Sequence, residues 1–235
     1  MISDFNVSVQ SKMFDIYGHL PNHSYFLLLE NALIENNQKI LETNQCQIKA
    51  RYFKSIDKDG SYRIEVHQNL KDTSYTFLDE NNTRYFSMSL SKLDNEEIEI
   101  PIIYEKSISY DGRFPIYKNN IFPSDVAKDL VEQRLHFAMK KFGHGLKSLL
   151  EMGLGFYVIG FEFKMRSLIP SGSALCSSWI SEIEGNNSIL RVPFYFINEN
   201  SSSPYASGQM DAVVIDTRSG KPTSLPEEFK SLFFK

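Results

Sequence analysis

Residues Phe5 to Gln10 alternate, with Phe5, Val7 and Val9 apolar against Asn6, Ser8 and Gln10, which is the period-two signature of a strand with one buried face. From Ser24 the period changes. Tyr25, Leu28, Leu29, Ala32, Leu33 and Ile40 recur at helical spacing while Glu30, Glu35, Asn37 and Lys39 fall elsewhere. This predicts a helix capped by Ser24 whose single apolar stripe lies on a sheet. Four strand-like runs follow, Gln47 to Ile56, Ser61 to Asn69, Ser74 to Asp79 and Thr83 to Leu93. They are separated by Asp57-Lys58-Asp59-Gly60, Lys71-Asp72 and Glu80-Asn81-Asn82, which is turn chemistry between antiparallel strands.

The same order then recurs. Polarity peaks at Asp94-Asn95-Glu96-Glu97, and a boundary there gives an N-terminal unit, residues 1–97, and a C-terminal unit, residues 98–235. The second unit begins with a strand-like run, Ile98 to Ser109, and Ser124 caps a predicted helix through Lys141. Gly143-His144-Gly145 interrupts that helix, Leu146 to Met152 extends it, and Gly153-Leu154-Gly155 ends it. Strands are predicted over Phe156 to Leu168, Ala174 to Glu184, Ser188 to Asn198 and Ser207 to Asp216. One strand, one long helix and four strands, twice over, is a repeat visible in layout rather than in identity. It defines an α+β fold in which each unit wraps a curved antiparallel sheet around its helix, and the two sheets can pair edge to edge.

Composition narrows the function classes. The net charge of −4 is spread along the 235 residues with no Lys/Arg-rich run, so nucleic acid is not an expected partner. Cys46 and Cys176 stand far apart, without the spacing of a zinc site or a disulfide framework, and are expected to be buried thiols. No basic segment followed by an apolar run opens the chain, and no stretch approaches the roughly 18 apolar residues of a membrane span. A cytoplasmic protein without a membrane span is the expectation. No glycine-rich phosphate loop, nucleotide fingerprint or metal cluster is seen in the sequence.

The chemistry concentrates in Asp15-Ile16-Tyr17-Gly18-His19-Leu20-Pro21-Asn22-His23-Ser24-Tyr25. A carboxylate, a glycine turn, a histidine and a helix start fall together there. In isolation each has an ordinary reading. An Asp before a Gly-His turn is most often a turn or capping residue, Ser24 a helix cap, Glu30 a solvated helix flank, and Lys164 and Arg166 charges on an exposed face.

Asp15, Gly18, His19, Asn22 and Tyr25, followed by Glu30-Asn31-Ala32, resemble the opening of hotdog-fold thioesterases of the 4-hydroxybenzoyl-CoA thioesterase type. The run from Gly153 through Phe163-Lys164-Met165-Arg166 to Pro170-Ser171-Gly172 is similar to that fold's long second strand and the turn that ends it. The resemblance implies a tandem double hotdog that hydrolyses acyl-CoA or acyl-carrier-protein thioesters in fatty acid metabolism. No cofactor is implied beyond the coenzyme A or phosphopantetheine carried by the substrate. It implies Asp15, Asn22, His19 and Glu30 as catalytic residues and Gly18, His23, Ser24, Tyr25, Lys164 and Arg166 as substrate-binding ones, with a homodimer of double hotdogs as an allowed assembly. Pro21 departs from the pattern, standing where the family has the first of two asparagines. The second unit places Tyr117 opposite Asp15, Asn120-Ile121 opposite Gly18-His19, and Pro123-Ser124 opposite Pro21-Asn22, so it lacks the acid and a single active site is expected.

Thioester hydrolysis needs an attacking water or carboxylate and a place for the developing oxyanion. Asp15 supplies the first as base or nucleophile. The unpaired amides around Asn22 to Ser24 at the positive end of the helix supply the second, and Gly18 lets the backbone pass close to substrate without a Cβ. Two alternatives stand beside hydrolysis: a hotdog dehydratase acting on 3-hydroxyacyl thioesters, and a non-catalytic acyl-thioester binder.

Overall fold

The computed structural model describes residues 2–15, 18–36, 45–93, 151–166, 174–178, 182–184, 188–198 and 204–227. In chain order the elements are β1 (Ile2–Val9), a 3-10 turn (Ser11–Met13), α1 (Asn22–Glu35), β2 (Cys46–Tyr52), β3 (Gly60–Gln68), β4 (Asp72–Leu78) and β5 (Arg84–Lys92). After the undescribed span come β6 (Leu154–Met165), β7 (Ala174–Ser178), β8 (Glu182–Glu184), β9 (Ile189–Asn198), β10 (Pro204–Asp216) and β11 (Lys221–Pro222). The predicted boundary at residue 97, the strand at Ile98 to Ser109, the helix from Ser124 and the degenerate motif at Tyr117 to Ser124 lie outside the described residues.

All the described strands join one sheet in the order β1-β3-β4-β5-β2-β6-β10-β9-β7, with β11 on β10 and β8 on β9. Read outward from the centre, the first half runs β2, β5, β4, β3, β1 and the second β6, β10, β9, β7. The two halves therefore repeat one strand order about the β2–β6 junction, which is the tandem layout expected from the sequence. The junction is antiparallel, from Cys46 opposite Met165 to Arg51 opposite Gly160.

Helix α1 covers both halves. Tyr25 stacks on Phe86 of β5 with ring centroids 5.2 Å apart, and Phe26 meets Phe86 at 5.2 Å and Phe161 of β6 at 6.0 Å. Tyr25, Phe26, Leu29, Phe77, Phe86, Ile48 and Phe163 are all buried. Aromatic pairs in this edge-on and stacked geometry add to the gain from burial itself. One core thus spans the junction. No helix among the described residues is long and apolar enough to cross a membrane.

Several predicted boundaries move. Helix α1 starts at Asn22 with Pro21 as its cap residue, because proline fixes φ for the entry and needs no N–H partner. Ser24 is therefore a first-turn residue and not the cap; it is buried, and its N–H donates to the Pro21 carbonyl at 2.9 Å. The helix ends at Glu35, where the Asn36 side chain donates to the Ala32 carbonyl at 2.8 Å, satisfying an acceptor the next turn would otherwise use. In the predicted stop Gly153-Leu154-Gly155, Gly153 takes φ +76°, a left-handed conformation that suits glycine, and β6 begins at Leu154; the helix predicted before it lies, but for Glu151, outside the described residues. Ala174 to Glu184 was predicted as one strand; β7 and β8 are two pieces that both pair with β9.

Candidate active site

Strand β6 outruns its neighbour. On one side it pairs with β10 from Leu154 opposite Asp216 to Met165 opposite Ala206. On the other it meets β2 only from Gly160 onward, so Leu154 to Ile159 extend past the end of β2. Ile159 is an extra residue between the Gly160–Asp211 and Val158–Ala212 pairs, a bulge of the kind that re-aims neighbouring side chains. The loop Asp15–Leu20 approaches this overhang.

That loop is pinned by its own backbone. The Asp15 N–H donates to the His19 carbonyl at 2.8 Å and the His19 N–H returns a hydrogen bond to Asp15 Oδ1 at 3.2 Å. The Gly18 N–H donates to the Asp15 carbonyl at 3.0 Å. Gly18 sits at φ +76° with open space where a Cβ would be, so torsion and not crowding calls for glycine here. Leu20 is buried, and its N–H donates to the Ile56 carbonyl at 2.8 Å. Ile56 in turn donates its N–H to the Tyr25 hydroxyl at 3.0 Å, so the loop is anchored on a core side chain of α1.

The two halves of the chain meet at His19. Its ring lies edge-on to Tyr157 of β6, centroids 5.9 Å apart and planes at 60°. Burial, and then the Asp15 carboxylate, push the Tyr157 phenol above its ordinary value, so Asp15, His19 and Tyr157 share one electrostatic neighbourhood. Asp15 is exposed while His19, Asn22 and His23 are half-buried. Pro21 offers no side-chain acceptor to the first-turn amides of α1, and that end carries the positive end of the helix dipole, which favours an anionic group. Tyr52 of β2 donates its hydroxyl to the Asn22 carbonyl at 3.2 Å, fixing the helix start against the sheet.

The other candidate residues fall elsewhere. Tyr25 is 1% exposed, its hydroxyl held by the Ile56 N–H and by the Lys54 carbonyl at 3.4 Å, so it is a core anchor of the loop. Burial raises its pKa far above the usual phenol value. Glu30 is not a solvated flank. It is 7% exposed, one turn beyond Phe26 on the same side of α1, which puts it about 12 Å along the axis from Asn22.

Lys164 and Arg166 are not brought to the Asp15 loop. Lys164 lies seven positions beyond Tyr157, about 23 Å along the strand, and Arg166 farther still. Lys164 also alternates with the buried Phe163 and Met165, on the face where Glu162 accepts from Gln47 Nε2 at 2.6 Å. That face is turned away from α1. At their end of the sheet an open groove of about 370 Å³ is lined by Cys46, Leu70, Lys71, Thr73, Leu90 and Lys92. Among the described residues no group of three His, Cys, Asp or Glu is placed to hold a metal ion.

Tyr157 is the neighbour of the Asp15 loop that sequence reasoning missed. Its one signal was a tyrosine in the otherwise apolar run Gly155-Phe156-Tyr157-Val158-Ile159, and nothing local registers that run against residue 19.

The strand order and the helix laid across it define the class: a tandem hotdog fold. No protein-family description matches the sequence, and no curated protein matches it. Among solved structures, a protein assigned as an oleoyl thioesterase from Lactobacillus plantarum superposes with TM-score 0.62 at 9% identity, over 92% of this chain and 97% of that one. The 12:0-ACP thioesterase from Umbellularia californica gives TM-score 0.57 at 10% identity, over 91% of this chain and 94% of that one. The CurJ dehydratase gives TM-score 0.57 at 11% identity, over 93% of both chains. These likenesses place the chain in the hotdog fold over nearly its whole length.

Proposed function

We propose that the protein is an acyl thioester hydrolase with one active site, at the start of α1, acting on acyl-CoA or acyl-carrier-protein thioesters. The observation that carries this reading is the Asp15 loop, closed by reciprocal hydrogen bonds with His19 beside the start of α1. In the base mechanism the Asp15 carboxylate takes a proton from water as the water oxygen attacks the thioester carbon. In the nucleophilic one Asp15 attacks directly and water then cleaves the anhydride. Either way the carbonyl oxygen gains charge, which the amides of Asn22 and His23 offset, before the carbonyl reforms and the thiolate leaves. His19 holds the Asp15 carboxylate through its backbone.

The substrate brings its own coenzyme A or phosphopantetheine, and no other cofactor is required. The protein is expected to act in the cytoplasm; with two units in one chain it carries its own pseudo-dimer, and a homodimer of double hotdogs would add to that. Glu30 remains a candidate acid from within the core. The dehydratase neighbour motivates a second reading, hydration of unsaturated acyl thioesters, which a crotonyl-CoA hydration assay separates from hydrolysis.

The test is thiol release across short, long and aromatic acyl-CoAs, with Asp15→Asn beside the wild type. We expect turnover on at least one class and its loss in Asp15→Asn with an unchanged circular dichroism spectrum. Undiminished turnover by Asp15→Asn would overturn the site, and tight acyl-CoA binding with no thiol release would identify a binding protein instead.

A further inference from the structure

The overhang of β6 puts a second-half side chain at a first-half loop. The Tyr157 ring sits 5.9 Å from the His19 ring, on the stretch of strand that β2 does not cover. Among the described residues its hydroxyl makes no hydrogen bond, although the ring is half-buried. A phenol beside an acid loop places a hydrogen-bond donor there.

We propose that Tyr157 is the substrate-contacting hydrogen-bond donor of the Asp15 site, its O–H binding the thioester carbonyl oxygen and holding the oxyanion together with the first-turn amides of α1. This rests on the hydrolase reading and adds to it that the second half supplies part of the catalytic machinery.

Chemistry separates donation from proton transfer. A free thiol titrates near 8.5 and a phenol near 10, and the surroundings of Tyr157 raise its value further. Handing the proton to a departing thiolate would run uphill, so Tyr157 keeps it. The water oxygen bonds to the carbonyl carbon as Asp15 takes the water proton, and the carbonyl pair moves onto oxygen within reach of the phenol O–H. Collapse restores the C=O bond, and the C–S pair leaves with sulfur.

The simpler role for Tyr157 is an aromatic wall against His19, and Tyr157→Phe separates the two because it keeps the ring and that contact. With full-length protein and the best acyl-CoA substrate, we expect Tyr157→Phe to lower kcat on the order of 100-fold, the usual effect of removing one oxyanion donor. KM should change little, because the contact strengthens only as charge develops. Binding of a trifluoromethyl ketone analogue of the acyl-CoA should weaken by a similar factor, and binding of the thioether analogue should not. An active wild type with inactive Asp15→Asn and unaffected Tyr157→Phe overturns the role of Tyr157 and leaves the hydrolase reading standing. A rise in KM alone identifies a packing wall. A wild type that neither turns over acyl-CoA nor binds the ketone overturns both.

Discussion

Replacing Tyr25 by Phe tests how the candidate loop is held. The ring would stay where it is, stacked on Phe86 at 5.2 Å and edge-on to Phe77 and Tyr52 at 5.7 Å each, so no cavity opens. What goes is one oxygen. It accepts from the Ile56 N–H at 3.0 Å and donates to the Lys54 carbonyl at 3.4 Å, and Ile56 is 0% exposed. Water cannot replace it without opening the core. Leaving a buried N–H without an acceptor costs about 1–3 kcal/mol, and the longer bond to Lys54 adds little because its geometry is marginal. For a chain of this size each kcal/mol lowers Tm by about 2–4 °C, so a loss near 2 kcal/mol becomes a fall of about 4–8 °C. Urea denaturation should show a lower midpoint with an unchanged slope. The same substitution slackens Ile56, whose carbonyl receives the Leu20 N–H, so the amide of Leu20 should exchange faster with solvent. Thermal unfolding with amide exchange is the assay. A Tm within about one degree of wild type, with Leu20 exchange unchanged, would refute the claim that the loop hangs on Tyr25.

Two further outcomes follow from the titratable core. Tyr25, Tyr75, Tyr62 and Tyr85 all have raised phenol pKa values, burial being the largest cause in each, and Tyr75 and Tyr85 are pushed up to about 12. A folded value above the unfolded one means that the unfolded chain loses these protons first as pH rises. The stability is then fully present below pH 10 and drains away between pH 10 and about 12, which a series of urea midpoints across that range will show; a flat series contradicts the burial of these hydroxyls. Cys46 is buried, and burial pushes its thiol up to about 12. Peptide mapping after iodoacetamide treatment at pH 8 should find Cys46 unmodified in the native protein and alkylated in urea, and native alkylation would contradict its place in the core.

Much of the fold was legible because it is written in local periods. The alternation of Phe5, Val7 and Val9 is the buried face of β1, and the stripe Tyr25, Leu28, Leu29, Ala32 and Leu33 is the buried face of α1. The turn at Asp57 to Gly60 leads directly into β3. Boundaries were less legible, since they depend on competing local bonds: Pro21 stands at the cap of α1 in place of Ser24. The candidate site was half legible. Its first-half members lie within one short stretch, so a motif can name them. Tyr157 could not be named, because its partnership with His19 arises only from the length by which β6 overruns β2, and no local pattern encodes that register.

The misplacement of Lys164 and Arg166 has the same origin and reshapes the view of the carrier. The family resemblance put two cations near the candidate site; Lys164 is on β6, but at its other end and on its other face, and Arg166 follows the strand's last residue, Met165. Cations at the Asp15 end include Arg51 of β2, Lys54 after it and Arg84 of β5. Arg51 is opposite Gly160 at the last rung of the junction. Lys54 lies over the Tyr85 ring at 5.6 Å, and Arg84 lies over Phe53 at 5.4 Å. On the proposed hydrolase reading, a phosphate-bearing arm whose thioester reaches the Asp15 loop meets Arg51, Lys54 and Arg84 at that end, where exposed Phe53 offers apolar surface beside the charge. On the proposed hydrolase reading the acyl group and its carrier would be sorted by the end of β2, the thioester at the overhang of β6 and the carrier at the aromatic-backed cations of the same end.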